Sequence, residues 1–329
     1  MTEQIQRIDN DLELQAQILP FCRLKLGEIW IDPLGKHKVG CLDIANSKDI
    51  QKIMDNQKST LSIQDPPYNV VVGGSSGNTK NLGKIDLQEF ITWCQKWTSN
   101  IDKIMDDNSS LYIWLGADQR DSFQPLPDFM IMMREFEDIT SRSFITMRNQ
   151  RGYGTQINWM AVRQELLYYI KGRPTFNINA EYTDIPKILR TGYYKDGIDN
   201  QERSKSEFIR AGNVWVDMQQ VFYRMEENVP GCYAQKPLKS ASRIISAGSN
   251  KGDIVIDFFA HSGSTLIACE QLDRKCYTMD FDPIFAEICI RRLERYRETG
   301  KLGWQWWSPF PELLEEKDRE PKNNENLFL

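Results

Sequence analysis

Residues 252–283 read GDIVIDFFAHSGSTLIACEQLDRKCYTMDFDP. DIVID is an apolar strand closing on an acid, HSGST is a tight turn of small residues, LIACEQL opens a helix, and CYTMDFD is a second strand that again closes on acid. Strand, glycine turn, helix, strand and terminal acid within about 30 residues is the arrangement that binds an adenosine-bearing ligand at the carboxyl ends of parallel strands. Small residues at 262–264 let the backbone approach such a ligand, and the second acid can accept hydrogen bonds from both ribose hydroxyls. The turn lacks the G-x-G-x-x-G spacing that cradles a pyrophosphate, so the ligand need not carry phosphate. Taken alone, the stretch leaves open NAD, a flavin or a purely structural βαβ unit.

The rest of the chain continues this alternation. HKVGCLDI (37–44), STLSIQ (59–64), SSLYIWLG (109–116) and ELLYYIKG (165–172) read as strands. SKDIQKIMDNQ reads as a helix opened by Ser47, and DLQEFITWCQKWTSNIDKIM (86–105) has apolar residues at helical spacing. The glycine, serine and asparagine stretch at 69–84 predicts a mobile surface loop. The pattern predicts an α/β fold with a largely parallel sheet.

Composition narrows the chemistry. Of 329 residues, 40% are hydrophobic and 26% charged, as in an ordinary globular protein. No stretch approaches the roughly 18 unbroken apolar residues of a membrane span, and MTEQIQRIDNDLELQ is polar, so a cytoplasmic protein with no membrane partner is expected. Seven scattered cysteines with no C-x-x-C pair predict reduced, packed thiols. With only His37 and His261, a histidine metal cluster or a Ser-His-Asp triad is nearly excluded, and no metal is expected. The net charge of −5 hides a basic window: residues 141–210 hold twelve Lys and Arg against seven Asp and Glu. Such a window reads either as a solvated face or as a footprint for phosphates.

The second informative stretch is SIQDPPYNV (62–70). A strand ends at an acid, then come two residues that fix φ near −65° and present carbonyls without N–H groups, then an aromatic ring. Read locally it is a Pro-Pro turn.

DPPY (65–68), QKPL (235–238), DFFAHSGSTL (257–266) and MDFDP (279–283) together closely resemble the S-adenosylmethionine-dependent DNA amino-methyltransferases, which methylate adenine N6 or cytosine N4. The likeness spans about residues 37–298, and the order, with DPPY ahead of the cofactor strand, is that of the family's permuted beta group. It implies a Rossmann-like methyltransferase fold with a mostly parallel seven-stranded sheet, helices on both faces and an inserted target-recognition region. The implied boundaries are a catalytic part at 1–172, target recognition at 173–230, a cofactor-binding part at 231–300 and an extension at 301–329, whose last residues read as disordered.

The resemblance also implies a mechanism and its residues. Asp65 and the carbonyl of Pro66 would accept the hydrogens of the target amine, Pro67 would stiffen the platform, and Tyr68 would stack on a base extruded from duplex DNA. For S-adenosylmethionine it implies Asp43 and Ile44 at the adenine, Asp65, Asp257 and Phe259 beside the methionine and adenosine, the turn His261, Ser262, Gly263 and Ser264, Asp280 at the ribose, and Gln235 and Lys236 toward the methionine carboxylate. Asp282 reads as a helix N-terminal residue. Arg142, Arg148, Arg151, Arg163 and Arg173 are the candidates for phosphate contact. In this family an Asp opening the tetrapeptide goes mainly with adenine, so N6-adenine is favoured over N4-cytosine, and a catalytically silent DNA-binding relative is the alternative of another class. Double-stranded DNA, a homodimer and a companion restriction endonuclease are the implied partners, in a bacterial cytosol or nucleoid. His261 departs from the family, where glycine is usual, so that turn must either keep φ negative or carry strain. The Trp-rich GWQWWSPFPELL (303–314) is expected to cover part of the core or a subunit contact.

Overall fold

In the computed structural model, the described residues are 8, 11–67, 86–116, 124–153, 159, 161–177, 193–195, 197–200, 212–218, 221 and 224–314. The strands are β1 (Glu28–Ile31), β2 (His37–Cys41), β3 (Ser59–Gln64), β4 (Met105–Leu115), β5 (Ile139–Tyr153), β6 (Ala161–Lys171), β7 (Tyr193–Lys195), β8 (Ile198–Asn200), β9 (Val214–Trp215), β10 (Ile254–Asp257) and β11 (Lys275–Asp280). The helices are α1 (Leu12–Ile18), α2 (Ser47–Met54), α3 (Leu87–Ile104), α4 (Pro125–Met132), α5 (Leu238–Gly248), α6 (Ser264–Gln271) and α7 (Pro283–Thr299).

Nine strands form one sheet in the order β1-β2-β11-β10-β3-β4-β6-β5-β9. β2, β11, β10, β3 and β4 run parallel to one another, while β6 is antiparallel to both β4 and β5. The seven strands from β2 to β5 are the expected sheet, and the structure adds one strand at each edge. A turn over Asp32–Gly35, closed by the Gly35 amide on the Asp32 carbonyl at 2.8 Å, folds β1 back antiparallel on β2. At the other edge β9 pairs parallel with β5, with the Thr146 amide donating to the Asn213 carbonyl at 2.9 Å. Both ends of the expected recognition insert are therefore stitched to the main body, since Asn177 also donates to the carbonyls of Ser246 and Ser249. Residues 178–192 and 201–211 lie outside the described residues, as do the 69–84 loop and 315–329.

Strand alternation divides the core into two layers. Leu61, Ile63, Tyr112 and Trp114 face α5, α6 and α7, while Leu111, Ile113 and Leu115 face α2, α3 and α4. Local signals open the helices: Asp86 caps α3 at the Glu89 amide, and Asp282 caps α7 at the Ile284 amide. For α2 the cap is Asn46 rather than Ser47, because the Asn46 side chain takes the Lys48 amide and Ser47 is already helical. A third cluster packs α1 and the Trp-rich segment over α7, burying Trp304 and Phe310. The seven cysteines are reduced, and burial pushes the pKa of Cys22, Cys41 and Cys94 up to about 12. Among the described residues no helix is long and apolar enough to cross a membrane.

Candidate active site at the carboxyl edge of the sheet

Because five neighbouring strands are parallel, their carboxyl ends share one edge of the sheet. The connections reverse at β10, with β11 and β2 on one side and β3 and β4 on the other, which opens a crevice at the switch point. Asp257 ends β10, Asp280 ends β11, Asp43 and Ile44 follow β2, and Asp65-Pro66-Pro67 follow β3. A cleft there is lined by Asp65, Lys236, Asp257, Phe259, His261, Ser262, Ser264 and Thr265. Tyr68 lies outside the described residues.

The glycine turn is built by its own backbone. The Phe259 amide donates to Asp257 Oδ1 at 3.1 Å, the Ala260 amide to the Met279 carbonyl at 3.0 Å and the His261 amide to Asp280 Oδ2 at 2.9 Å. Gly263 has φ +76°, and a Cβ there would lie 3.2 Å from Cys289 Sγ and 3.3 Å from its Cα. His261 resolves the question its side chain raised: its φ is +43°, so the turn carries strain there. Its ring lies 4.8 Å from that of Phe285. Phe259 meets Trp97 and Trp93 edge-on at 5.5 and 5.8 Å, extending an aromatic wall from α3.

Three acids converge on this cleft. Burial pushes the Asp257 carboxyl up to about 7, and the charges of Asp65 and Asp280 add to it against hydrogen bonds from Thr265 and the Phe259 amide. Burial likewise raises Asp280 to about 6. Lys236 Nζ lies 2.9 and 2.8 Å from the two Asp65 oxygens, rather than pointing at an open carboxylate site.

Other expected residues are distributed differently. Asp43 is half-buried and accepts the Ala45 amide at 2.8 Å; the Leu42 amide bonds the Asp280 carbonyl, which brings this loop beside β11. Ile44 is buried in the core layer facing α3, its carbonyl taken by Asn100. Gln235 does not reach the cleft: its amide donates to the Glu227 carbonyl and accepts the Val229 amide, bracing the turn before Lys236. Arg148 and Arg163 are exposed, directly opposed on β5 and β6, and lie toward the catalytic edge, with Arg163 ion-paired to Glu165 at 3.0 Å. Arg151 lies farther along β5. Arg142 and Arg173 are not brought to that edge. Register sets Arg142 level with Leu111 and Tyr112, about 10–13 Å short of Leu115, and Arg173 lies beyond the Ser109–Lys171 pair, itself about 20 Å from Leu115, given about 3.3 Å per residue.

Two positions escaped sequence reasoning. Gln64 accepts the Phe258 amide and donates to Ser62 Oγ, tying β3 to β10 just before Asp65. Arg292, fully buried in α7, donates to the carbonyls of Ser262, Glu227 and Leu302 at 2.7, 3.1 and 2.7 Å. The signal for Arg292 was a charge on the apolar stripe of a helix, which spacing alone does not separate from a solvated arginine.

A parallel sheet with helices on both faces, this strand order and an acidic crevice at the switch point defines a Rossmann-like methyltransferase fold. Residues 60–291 match the DNA methylase family N6_N4_Mtase, and the chain belongs to this family of S-adenosylmethionine-dependent N6-adenine and N4-cytosine DNA amino-methyltransferases. The Type II methyltransferase M.BamHI of Bacillus amyloliquefaciens is 22% identical over 323 residues, covering 97% of this chain and 69% of that protein. The DNA adenine methyltransferase YhdJ of Escherichia coli (strain K12) is 27% identical over 261 residues, covering 74% and 83%. Among solved structures, the PvuII DNA methyltransferase (cytosine-N4-specific) superposes with a TM-score of 0.53 at 12% identity, covering 78% of this chain and 85% of that one, and so shares the fold.

The cofactor is S-adenosylmethionine, and the cleft suits it. Asp257 and Asp280 favour hydroxyl donors and a cation rather than a pyrophosphate, and α6 begins at Ser264 without a side-chain cap.

Proposed function

We propose that this chain methylates adenine N6 within a short defined sequence of duplex DNA, working on a base turned out of the helix. The observation that carries this reading is the placement of Asp65, at the mouth of β3, in the same cleft wall as Asp257, His261 and Ser262. When bound, S-adenosylmethionine supplies an electrophilic methyl group: the C–S bond breaks with its electron pair left on sulfur as the amine lone pair forms the N–C bond. The exocyclic amine is a weak nucleophile because its lone pair is delocalised into the ring. Asp65 accepts one amine hydrogen and the Pro66 carbonyl the other, which aims the lone pair at the methyl group. The surplus proton of the methylated amine passes to Asp65 and then to water. Pro66 is buried and Pro67 exposed, as a rigid platform at a cleft mouth requires. Tyr68, next in the chain, is assigned to stack on the extruded base, which recovers about 1–3 kcal/mol.

Asp280 and Asp43 are assigned to the ribose and adenine ends, and the open first turn of α6 suits the methionine carboxylate. Arg148, Arg151 and Arg163 are assigned to DNA phosphates. The choice of adenine is supported by Asp65 opening the tetrapeptide and by the naming of YhdJ as an adenine methyltransferase. The Type II designation of relatives such as M.BamHI supports a companion endonuclease acting on the same site in a bacterial cytosol or nucleoid. A working homodimer rests on the beta-group resemblance and is read from sedimentation.

The test is sequencing, with modified-base detection, of DNA from cells expressing the chain. N6-methyladenine in one recurring sequence is expected. N4-methylcytosine would overturn the choice of base, and no modification despite measurable cofactor binding would overturn the reaction.

A further inference from the structure

Three acids at the ends of neighbouring strands are held in the same way. Asp257, Asp280 and Asp43 each accept the backbone amide two residues on, from Phe259, Asp282 and Ala45, at 3.1, 3.0 and 2.8 Å. Asp65 directly follows β3 at the same edge, but the residue two positions on is Pro67, which has no N–H to give. Lys236 clasps its carboxylate, with Nζ 2.9 Å from Oδ1 and 2.8 Å from Oδ2. The lysine is itself fixed: its ammonium lies 5.4 Å from the Trp114 ring centroid, and its carbonyl accepts Ser264 Oγ at 2.9 Å, at the start of α6. The two side chains are 14% and 26% exposed, so the pair sits inside the cleft mouth and still opens to it.

We propose that Lys236 is a positioning residue for methyl transfer. It orients the Asp65 carboxylate in place of the amide that Pro67 lacks, and the target amine takes one of the two oxygens from the ammonium as it docks. The substitution has a chemical purpose. An amide two residues on would occupy its oxygen permanently, whereas an ammonium on a flexible four-carbon stem yields to an incoming donor while keeping hold of the second oxygen. The tether to Ser264 connects this clasp to the turn that faces the cofactor. The inference rests on the role of Asp65 proposed above.

The wild-type protein, K236R and K236M are compared by methyl transfer from tritiated S-adenosylmethionine to DNA from a strain lacking the activity, and by calorimetric cofactor affinity. The 15N spectrum of the lysine ammonium groups is recorded in parallel, with K236R identifying the Lys236 signal. In K236M, kcat falls about 100-fold, the loss that a 1 Å misplacement brings, while the cofactor Kd changes less than about threefold and K236R recovers most of the rate. The Lys236 signal persists with cofactor alone and shifts when DNA is added. Wild-type kcat in K236M overturns the proposal. So does a signal that moves on cofactor binding together with a Kd that rises as kcat falls, which would make Lys236 a cofactor ligand. If K236M does not fold, K236R and the wild-type spectrum decide between these outcomes. Failure of the functional reading is visible separately, as a wild-type chain that binds cofactor and transfers no methyl group.

Discussion

On the role proposed for Asp65, replacing it with alanine removes the acceptor for the reacting amine, so transfer is expected to fall by about 100- to 1000-fold, as for other single groups that stabilise a transition state. Cofactor affinity, measured by calorimetry, should stay near the wild-type value, and comparable activity in D65A would contradict the assignment. Asp257 and Asp280 make a prediction in pH. Their pKa values, about 7 and 6 in the folded protein, lie above the ordinary 3.8, so the native state holds protons that the unfolded chain has released. Stability of the cofactor-free protein therefore falls as pH rises from about 4 through 7. Its melting temperature should be higher at pH 5 than at pH 8, and D257N should flatten the difference. Glu270, held below the ordinary range by His37 and then Arg297, and Asp32 and Asp217, held below it against burial by Arg297 and by Arg243 with Lys239, contribute stability that is lost only at lower pH. Ligand hydroxyls and a sulfonium favour the ionised acids, so S-adenosylmethionine affinity should rise between pH 5.5 and 7.5, and D280N should blunt that rise.

At the level of elements, the turn between β10 and α6 depends on one glycine. Gly263→Ala puts a Cβ against Cys289 at a left-handed φ, a conformation costing about 1–2 kcal/mol for a non-glycine residue before any clash is counted. Thermal melts and cofactor titration should both register it, and an unchanged Kd would show that the turn tolerates displacement. The long β5–β6 hairpin carries Arg148 directly opposite Arg163. Like charges in that position repel, which an approaching phosphate would relieve. Arg148→Gln should leave stability and cofactor affinity intact, weaken DNA binding across sequences and reduce the slope of log K against log salt by about 1. An unchanged slope would remove Arg148 from the interface. The basic window in the sequence did not distinguish these arginines from Arg142 and Arg173, because strand register decides which end of the sheet each one reaches.

Across the whole molecule, Arg292 joins parts that are far apart in the chain. It links the glycine turn at Ser262, the turn at Glu227 that leads to Lys236, and the Trp-rich segment at Leu302. Trp304 closes the same junction, its amide on the Asn228 carbonyl and its ring 5.4 Å from the Arg295 guanidinium. The Trp-rich segment thus acts as a strap across the base of the site. Arg292→Met would strand the buried Ser262 carbonyl and the part-buried Leu302 carbonyl at about 1–3 kcal/mol each, while the Glu227 carbonyl keeps the Gln235 amide, so a loss of a few kcal/mol in denaturant melts is expected, with weaker cofactor binding in whatever remains folded. Trp304→Ala, leaving the arginine in place, should cost about 3–5 kcal/mol through lost apolar burial and the cavity left behind.

Much of this protein is determined locally. Strand alternation, helix caps such as Asp86 and Asp282, and the run from DIVID to MDFDP follow from hydrophobic period and turn chemistry within a few residues, so the α/β fold and the cofactor crevice are legible in the sequence. So are the identities in DPPY, because two prolines constrain the backbone wherever they stand. The tertiary structure alone decided the pairings between distant groups: Lys236 on Asp65, Gln235 turned away into the Glu227 turn, Arg292 spanning three segments, and β1 and β9 extending the sheet. Lys236 on Asp65, Arg292 on Ser262 and Glu227, and β9 on β5 join residues tens to more than a hundred positions apart, and even the shorter-range Gln235 and β1 contacts are settled by packing and strand register, which determine which donor meets which acceptor.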